Sequence, residues 1–115
     1  MFFKTTAVLS FLLLPLSTIA QSGTGRAAIY PPGLGACGNE NNESDLVVAV
    51  PRQIFNNELC NKQMNVDFQG RSVQVTVVDV CGVCGAGDID LSRAAFGQLA
   101  DLDAETIQGV QWSII

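Results

Sequence analysis

Four cysteines, Cys37, Cys60, Cys81 and Cys84, constrain this chain more than any other feature, because all of them lie beyond a leader that directs export. The leader is residues 1–20. Lys4 gives a positive start, Ala7 to Leu16 is a short apolar run, and Thr18-Ile19-Ala20 offers small residues for cleavage after Ala20. A membrane-spanning helix needs about 20 apolar residues, whereas this run is short and carries Pro15 near its end. The reading is a secretory signal peptide and an extracellular product. An even number of cysteines in an oxidising compartment implies two disulfides. Four cysteines allow three pairings, and the residues alone do not choose among them.

Removing the leader leaves residues 21–115, which keep all 11 acidic residues and five basic ones, Arg26, Arg52, Lys62, Arg71 and Arg93. No basic stripe is present to displace counterions from phosphates, which argues against nucleic acid as a partner. The acidic balance speaks equally against an anionic membrane surface. A domain of this size builds a modest core and needs covalent help. Each bridge contributes about 2–4 kcal/mol, a large share of a stability of about 5–10 kcal/mol.

Residues 21–26 are polar and glycine-rich and read as a loose mature start, followed by one domain over 27–115. Ala27 to Tyr30 is a short strand candidate that stops at Pro31-Pro32-Gly33. Leu46 to Val50 is a β-branched run with Pro51 after it, a second strand. Met64 to Phe68 and Ser72 to Val80 alternate apolar and polar residues about a Gln69-Gly70-Arg71 turn, which is a hairpin. Ser92 caps a short helix over Arg93 to Leu99, and Gly109 to Ile115 reads as a closing strand. Short strands, glycine-rich turns and one helix suggest a small, mainly β barrel.

The pair Cys81-Gly82-Val83-Cys84 follows a strand, as a thioredoxin-like redox motif does. That motif needs a helix at its first cysteine. Here Gly85-Ala86-Gly87-Asp88 is poor helix material, and Cys37 and Cys60 stand as alternative partners. A zinc site wants two close knuckles, and Cys37 and Cys60 are far apart in sequence. Structural disulfides are the expectation, with no metal and no cofactor. The chain has no histidine, which excludes histidine-based triads and cysteine–histidine dyads.

Asp79 ends a valine-rich strand, and Asp90 lies between Ile89 and Leu91. Acids among apolar neighbours usually face solvent or serve as caps, and Asp90 can hold the turn before Ser92. The functional alternative is a carboxyl kept partly desolvated, as a general acid for a glycosidic bond or an acceptor for sugar hydroxyls. Tyr30 and Trp112 are the only rings with polar handles. Trp112 reads as core, and Tyr30, beside its prolines, as an exposed platform for a sugar. Asn42-Glu43-Ser44 is an acceptor sequon for glycosylation at Asn42.

The segments Gly33-Leu34-Gly35-Ala36-Cys37-Gly38, Leu46-Val47-Val48-Ala49-Val50, Val77-Val78-Asp79-Val80-Cys81, Ile89-Asp90-Leu91-Ser92 and Val110-Gln111-Trp112 follow one another in a fixed order. In that order the chain resembles the double-psi β-barrel proteins: expansins, barwin-like proteins, the rare-lipoprotein-A type and the small secreted fungal forms. The resemblance implies a six-stranded barrel with psi-shaped crossovers, one or two short helices, and a surface groove for an extended polymer. It marks Asp90 as the residue on which activity depends, with Asp79 beside it and Tyr30 in the same groove. It also implies the pairs Cys37–Cys81 and Cys60–Cys84. Relatives often begin with a Gly-x-x-Thr-Tyr-Tyr segment; here Ala28 replaces the threonine, Ile29 replaces one tyrosine, and Pro31 stands near the place of a hydrolase's base carboxylate.

The resulting expectation is a secreted, monomeric, non-hydrolytic protein that binds cell-wall polysaccharide around Tyr30, Asp79 and Asp90. Two alternatives remain beside it. One is a barwin-like protease inhibitor or host-directed effector, whose partner is a secreted or host protein. The other is a lytic transglycosylase-like enzyme using Asp90 alone, because a sugar's own hydroxyl attacks and no water-activating base is needed.

Overall fold

The computed structural model describes residues 21–115, so the expected leader and the expected cleavage after Ala20 lie outside the described residues. The elements run β1 (Ser22–Ile29), β2 (Val47–Pro51), β3 (Gln63–Phe68), β4 (Arg71–Cys81), β5 (Ile89–Leu91), α1 (Arg93–Leu99) and β6 (Thr106–Ile114), with 3-10 turns at Asn57–Leu59 and Leu102–Ala104. The strands close into a six-stranded barrel in the order β1-β5-β2-β4-β3-β6. Two pairs, β1 with β5 and β2 with β4, are parallel, which short hairpins cannot connect and crossovers must. This is the mainly β, double-psi architecture that the segment order implied, with two disulfides and one α-helix.

Alternation builds the core. Met64 and Val66 from β3, and Val73, Val75 and Val77 from β4, point inward. Val48, Val50, Ile89, Leu91, Val110, Trp112 and Phe96 complete the interior. The β3–β4 turn uses Gln69 (φ 49°) and Gly70 (φ 84°), the left-handed pair that matches the twist of a tight hairpin. Ser92 is fully buried and ties three segments together. Its hydroxyl donates to the Asp45 carbonyl at 2.6 Å and accepts the N–H of Ala95 at 3.3 Å, which caps α1 where the sequence placed the cap. Among the described residues, no helix is long and apolar enough to cross a membrane.

The structure corrects three expectations. Residues 22–26 are not a loose start: they form the first half of β1, paired with β6 from Ser22↔Ser113 to Gly25↔Val110. Their glycines serve close approach. A Cβ on Gly23 would stand 2.4 Å from the Trp112 ring, and one on Gly25 would stand 2.5 Å from the Gly87 carbonyl oxygen. Secondly, the closing strand begins at Thr106, three residues before the positive-φ Gly109 that suggested its start.

The third correction concerns the bridges, which are Cys37–Cys60 and Cys81–Cys84 and not Cys37–Cys81 with Cys60–Cys84. The Cys37 loop docks on β4 through Cys37 N–H to the Val78 carbonyl at 3.1 Å. The Cys60 segment docks beside it, through Asn61 N–H to the Val77 carbonyl at 2.8 Å. That brings the Cα atoms of Cys37 and Cys60 to 5.5 Å, within bridging range. Cys81 is left to the turn that follows its own strand, where Cys84 lies 5.4 Å away.

Candidate functional site

Asp90 is the middle residue of the three-residue strand β5. Ile89 and Leu91 fill the core, so strand alternation turns the aspartate outward. Its lateral partners are Ala28 on β1 and Ala49 on β2. Beyond them stand Thr106 on β6, opposite Ala28, and Asp79 on β4, opposite Ala49. Paired residues share a face of the sheet, so one row across five strands reads Thr106, Ala28, Asp90, Ala49, Asp79. The small, partly exposed Ala28 leaves a shallow trough on one side of Asp90, whereas Ala49 on the other side is buried.

Burial raises the Asp90 carboxyl above its ordinary range, Asp88 adds to that rise, and the Arg26 guanidinium opposes it. Arg26 belongs to the site through the turn before β5. Its N–H donates to Asp88 Oδ1 at 2.8 Å, and its guanidinium lies 3.8 Å from Asp88 Oδ2. Asp88 also accepts the N–H of Gly85 at 3.3 Å, which closes that turn. Neither Arg26 nor Asp88 stood out in the sequence, because neither has a pattern that distinguishes it from a surface charge.

Tyr30 comes up beside Asp90 because its N–H continues the β1–β5 ladder, donating to the Leu91 carbonyl at 2.9 Å. Its ring is not the exposed platform expected from its prolines. It packs against Ala49 and the Cys81–Cys84 pair. Its hydroxyl is buried and has no hydrogen-bond partner among the described residues. Burial raises its pKa, and the charges of Asp79 and Asp90 push it further the same way.

Asp79 adjoins the trough but is committed elsewhere. Its Oδ1 accepts the N–H of Ala36 at 2.9 Å and of Val80 at 2.8 Å. Trp112 is core as expected, and it also braces the site. Its indole N–H donates to the Gly87 carbonyl at 2.9 Å, in the turn that leads into β5. Asn42 is exposed in its loop, and its Oδ1 accepts from the N–H and hydroxyl of Ser44. The structure thus gathers Tyr30, Asp79 and Asp90 at one place and leaves Asn42 and Trp112 outside the trough.

With this geometry the comparison with known proteins is decisive for kinship. The profile of the lytic transglycolase family, a double-psi β-barrel family, matches residues 22–112. The chain belongs to this family. A papain inhibitor from Streptomyces mobaraensis is 36% identical over 106 residues, covering 84% of this chain and 74% of the inhibitor. The solved Streptomyces papain inhibitor superposes with a TM-score of 0.77 over 83% of this chain and 94% of its own. An EG45-like domain containing protein from Citrus jambhiri is 30% identical over 120 residues, covering 91% of this chain and 92% of that protein. A mutant Clavibacter michiganensis expansin, solved in complex with cellohexaose, is 25% identical with a TM-score of 0.72. This chain, of which 83% is covered, spans 50% of that expansin. Double-psi barrels carrying different roles therefore share this scaffold, and the trough must be read on its own chemistry.

Proposed function

We propose that this member of the family is a secreted, non-hydrolytic protein that binds cell-wall polysaccharide along the trough over Asp90. The observation that carries the reading is the half-buried Asp90 carboxyl, turned outward from the barrel beside Ala28 and the packed Tyr30 ring. An extended sugar chain suits such a trough. Its hydroxyls donate to Asp90, and the partly exposed methyl of Ala28 lies against its apolar face. Secretion rests on the leader. The expansin solved with cellohexaose, at 25% identity, supports the ligand class.

The same geometry speaks against an inverting hydrolase. That reaction needs a second carboxylate free to activate water on the far side of the bond. Asp79 and Asp88 lie near, but each already accepts two backbone N–H groups, Asp79 those of Ala36 and Val80 and Asp88 those of Arg26 and Gly85. A transglycosylase-like cleavage needs only Asp90, and its signature is an anhydro-sugar product.

A protein-binding role is the second reading, favoured by the papain inhibitor's 36% identity across most of both chains. Exposed Leu34 and Val83 sit on two turns held by cross-links and backbone bonds, and such pre-organised tips lower the cost of binding. The test sediments residues 21–115 with insoluble cellulose, chitin and wall extracts, beside folded Asp90→Ala. Loss of binding in the variant without released sugar is the expected result. Equal binding by both proteins would remove the trough from the account, and inhibition of a cysteine protease by both would move the function to the protein-binding class.

A further inference from the structure

The turn after β4 carries chemistry that polymer binding does not use. Cys81 and Cys84 are three residues apart and joined to each other, so the partners that disfavoured a redox reading of this motif, Cys37 and Cys60, are engaged elsewhere. One carboxylate oxygen of Asp90 lies within 4.8 Å of both sulfurs. Among the described residues this is the one place where two sulfurs and an acid converge so closely.

Three features separate this bond from Cys37–Cys60. It closes a ring with a sequence separation of 3 rather than 23, so opening it releases less chain entropy. It sits with Ala49 and Tyr30 in a small cluster apart from the main core, so opening it leaves the barrel interior intact. Its turn is exposed at Gly82, Val83, Gly85 and Ala86, and the Arg52 guanidinium is fastened to it through the Gly82 carbonyl at 2.8 Å. Both sulfur-bearing residues are nonetheless buried, which favours a small reactant over a protein one.

We propose that Cys81–Cys84 is an exchangeable disulfide opened by low-molecular-weight thiols, with Asp90 as proton donor to the sulfur that leaves. The thiolate of a small thiol attacks one sulfur and forms a mixed disulfide. The electron pair of the broken bond goes to the other sulfur, which takes the proton of the neutral Asp90 carboxyl. Asp90 regains a proton from solvent, matching the one the attacking thiol gave up. A second small thiol attacks the mixed disulfide, leaving two protein thiols and the oxidised small-molecule disulfide. Two electrons pass from the two small thiols to the protein.

The groups facing Asp90 set the pH range of the effect. Arg26 from β1 opposes protonation, Asp88 from the preceding turn favours it, and β2 contributes only Ala49. Tyr30 lies close enough to feel both Asp90 and Asp79. Because burial holds Asp90 above the ordinary carboxylate range, its donor form persists to higher pH than an exposed aspartate's.

The experiment incubates the intact folded protein with glutathione across about pH 4–8. Acid quenching, alkylation and peptide mass spectrometry then count each opened bond. Cys81–Cys84 is expected to open about ten-fold faster than Cys37–Cys60, although the latter's cysteines are the more exposed, because only the former has an acid beside the leaving sulfur. At equal thiolate concentration, Asp90→Asn slows the first bond alone, most strongly at the acid end. Equal opening rates for the two bonds, or an unchanged pH profile in Asp90→Asn, overturns the proposal. Should Asp90→Asn not fold, Asp90→Glu decides the proton step and the wild-type rate ratio decides the rest. No polysaccharide enters this assay, so its outcome is independent of the polymer-binding reading.

Discussion

Asp79 Oδ1 receives the backbone N–H of Ala36 at 2.9 Å, so the end of β4 fastens the loop that carries Cys37. The same oxygen takes the N–H of Val80, and the Gly35 backbone lies so close that a Cβ there would stand 2.4 Å from the Val78 carbonyl oxygen. An acid that looks like half of a binding pair is thus the anchor of a neighbouring loop. Asp79→Ala is expected to destabilise the domain by about 0.5–1.5 kcal/mol, the net worth of hydrogen bonds whose donors can turn to water. Asp79→Asn, which keeps an acceptor oxygen, should recover part of it. Denaturant midpoints measure both. A polymer-binding loss in Asp79→Asn as large as in Asp90→Ala would show that Asp79 touches the ligand.

Trp112 links the core to the trough without entering it. Its indole N–H holds the Gly87 carbonyl, and its ring lies over Gly23. Trp112→Phe keeps most of the apolar contact and removes the hydrogen bond. The expected cost is about 1–2 kcal/mol, with weaker polymer binding because the turn that aims Asp90 is loosened. Hydrogen exchange at 85–89 separates the two effects. Protection should fall there first, and a uniform fall across the barrel would indicate a core defect instead.

What could be read from the sequence was local. The β3–β4 alternation and the Ser92 cap depend on neighbours a few residues apart, and both stand where they were placed. The order of the segments carried the barrel. Strand β5 was not visible as a strand, because three residues are too few for a period to show. The start of β1 was misread because glycine signals looseness in isolation, whereas here it permits the Trp112 ring and the Gly87 carbonyl to approach. Asp90 was picked out, yet the alanines that flank it belong to β1 and β2 and become neighbours only through register. The disulfide pairing depended on how two loops dock on β4, which no spacing of cysteines encodes.

The two bridges should contribute unequally. Cys37–Cys60 spans a sequence separation of 23 and Cys81–Cys84 one of 3. Loop-closure entropy then assigns them roughly 3 and roughly 2 kcal/mol. Thermal unfolding of Cys37→Ala/Cys60→Ala and of Cys81→Ala/Cys84→Ala tests the ranking, with the larger fall in Tm expected for the first pair. A reversed order would mean that the short bridge supports native packing around Tyr30 beyond its effect on the unfolded chain.

Asp90 also makes stability depend on pH in a direction opposite to that of a salt-bridged acid. Its pKa in the folded protein is raised by burial, with Asp88 adding to the rise and Arg26 opposing it. A raised carboxyl binds its proton more tightly in the folded than in the unfolded chain. Its stabilising contribution is therefore complete below the unfolded pKa of about 3.9. That contribution is lost as pH rises through the folded value. At neutral pH the ionised carboxyl is a burden on the fold, and Asp90→Asn removes it. The variant should melt above wild type at pH 7, with the gap narrowing as the pH approaches the ordinary aspartate range. Paired thermal melts of the two proteins across that interval measure the gap. A gap that widens toward acid would mean that Arg26 outweighs burial at Asp90, and the trough would then hold a permanently charged carboxylate.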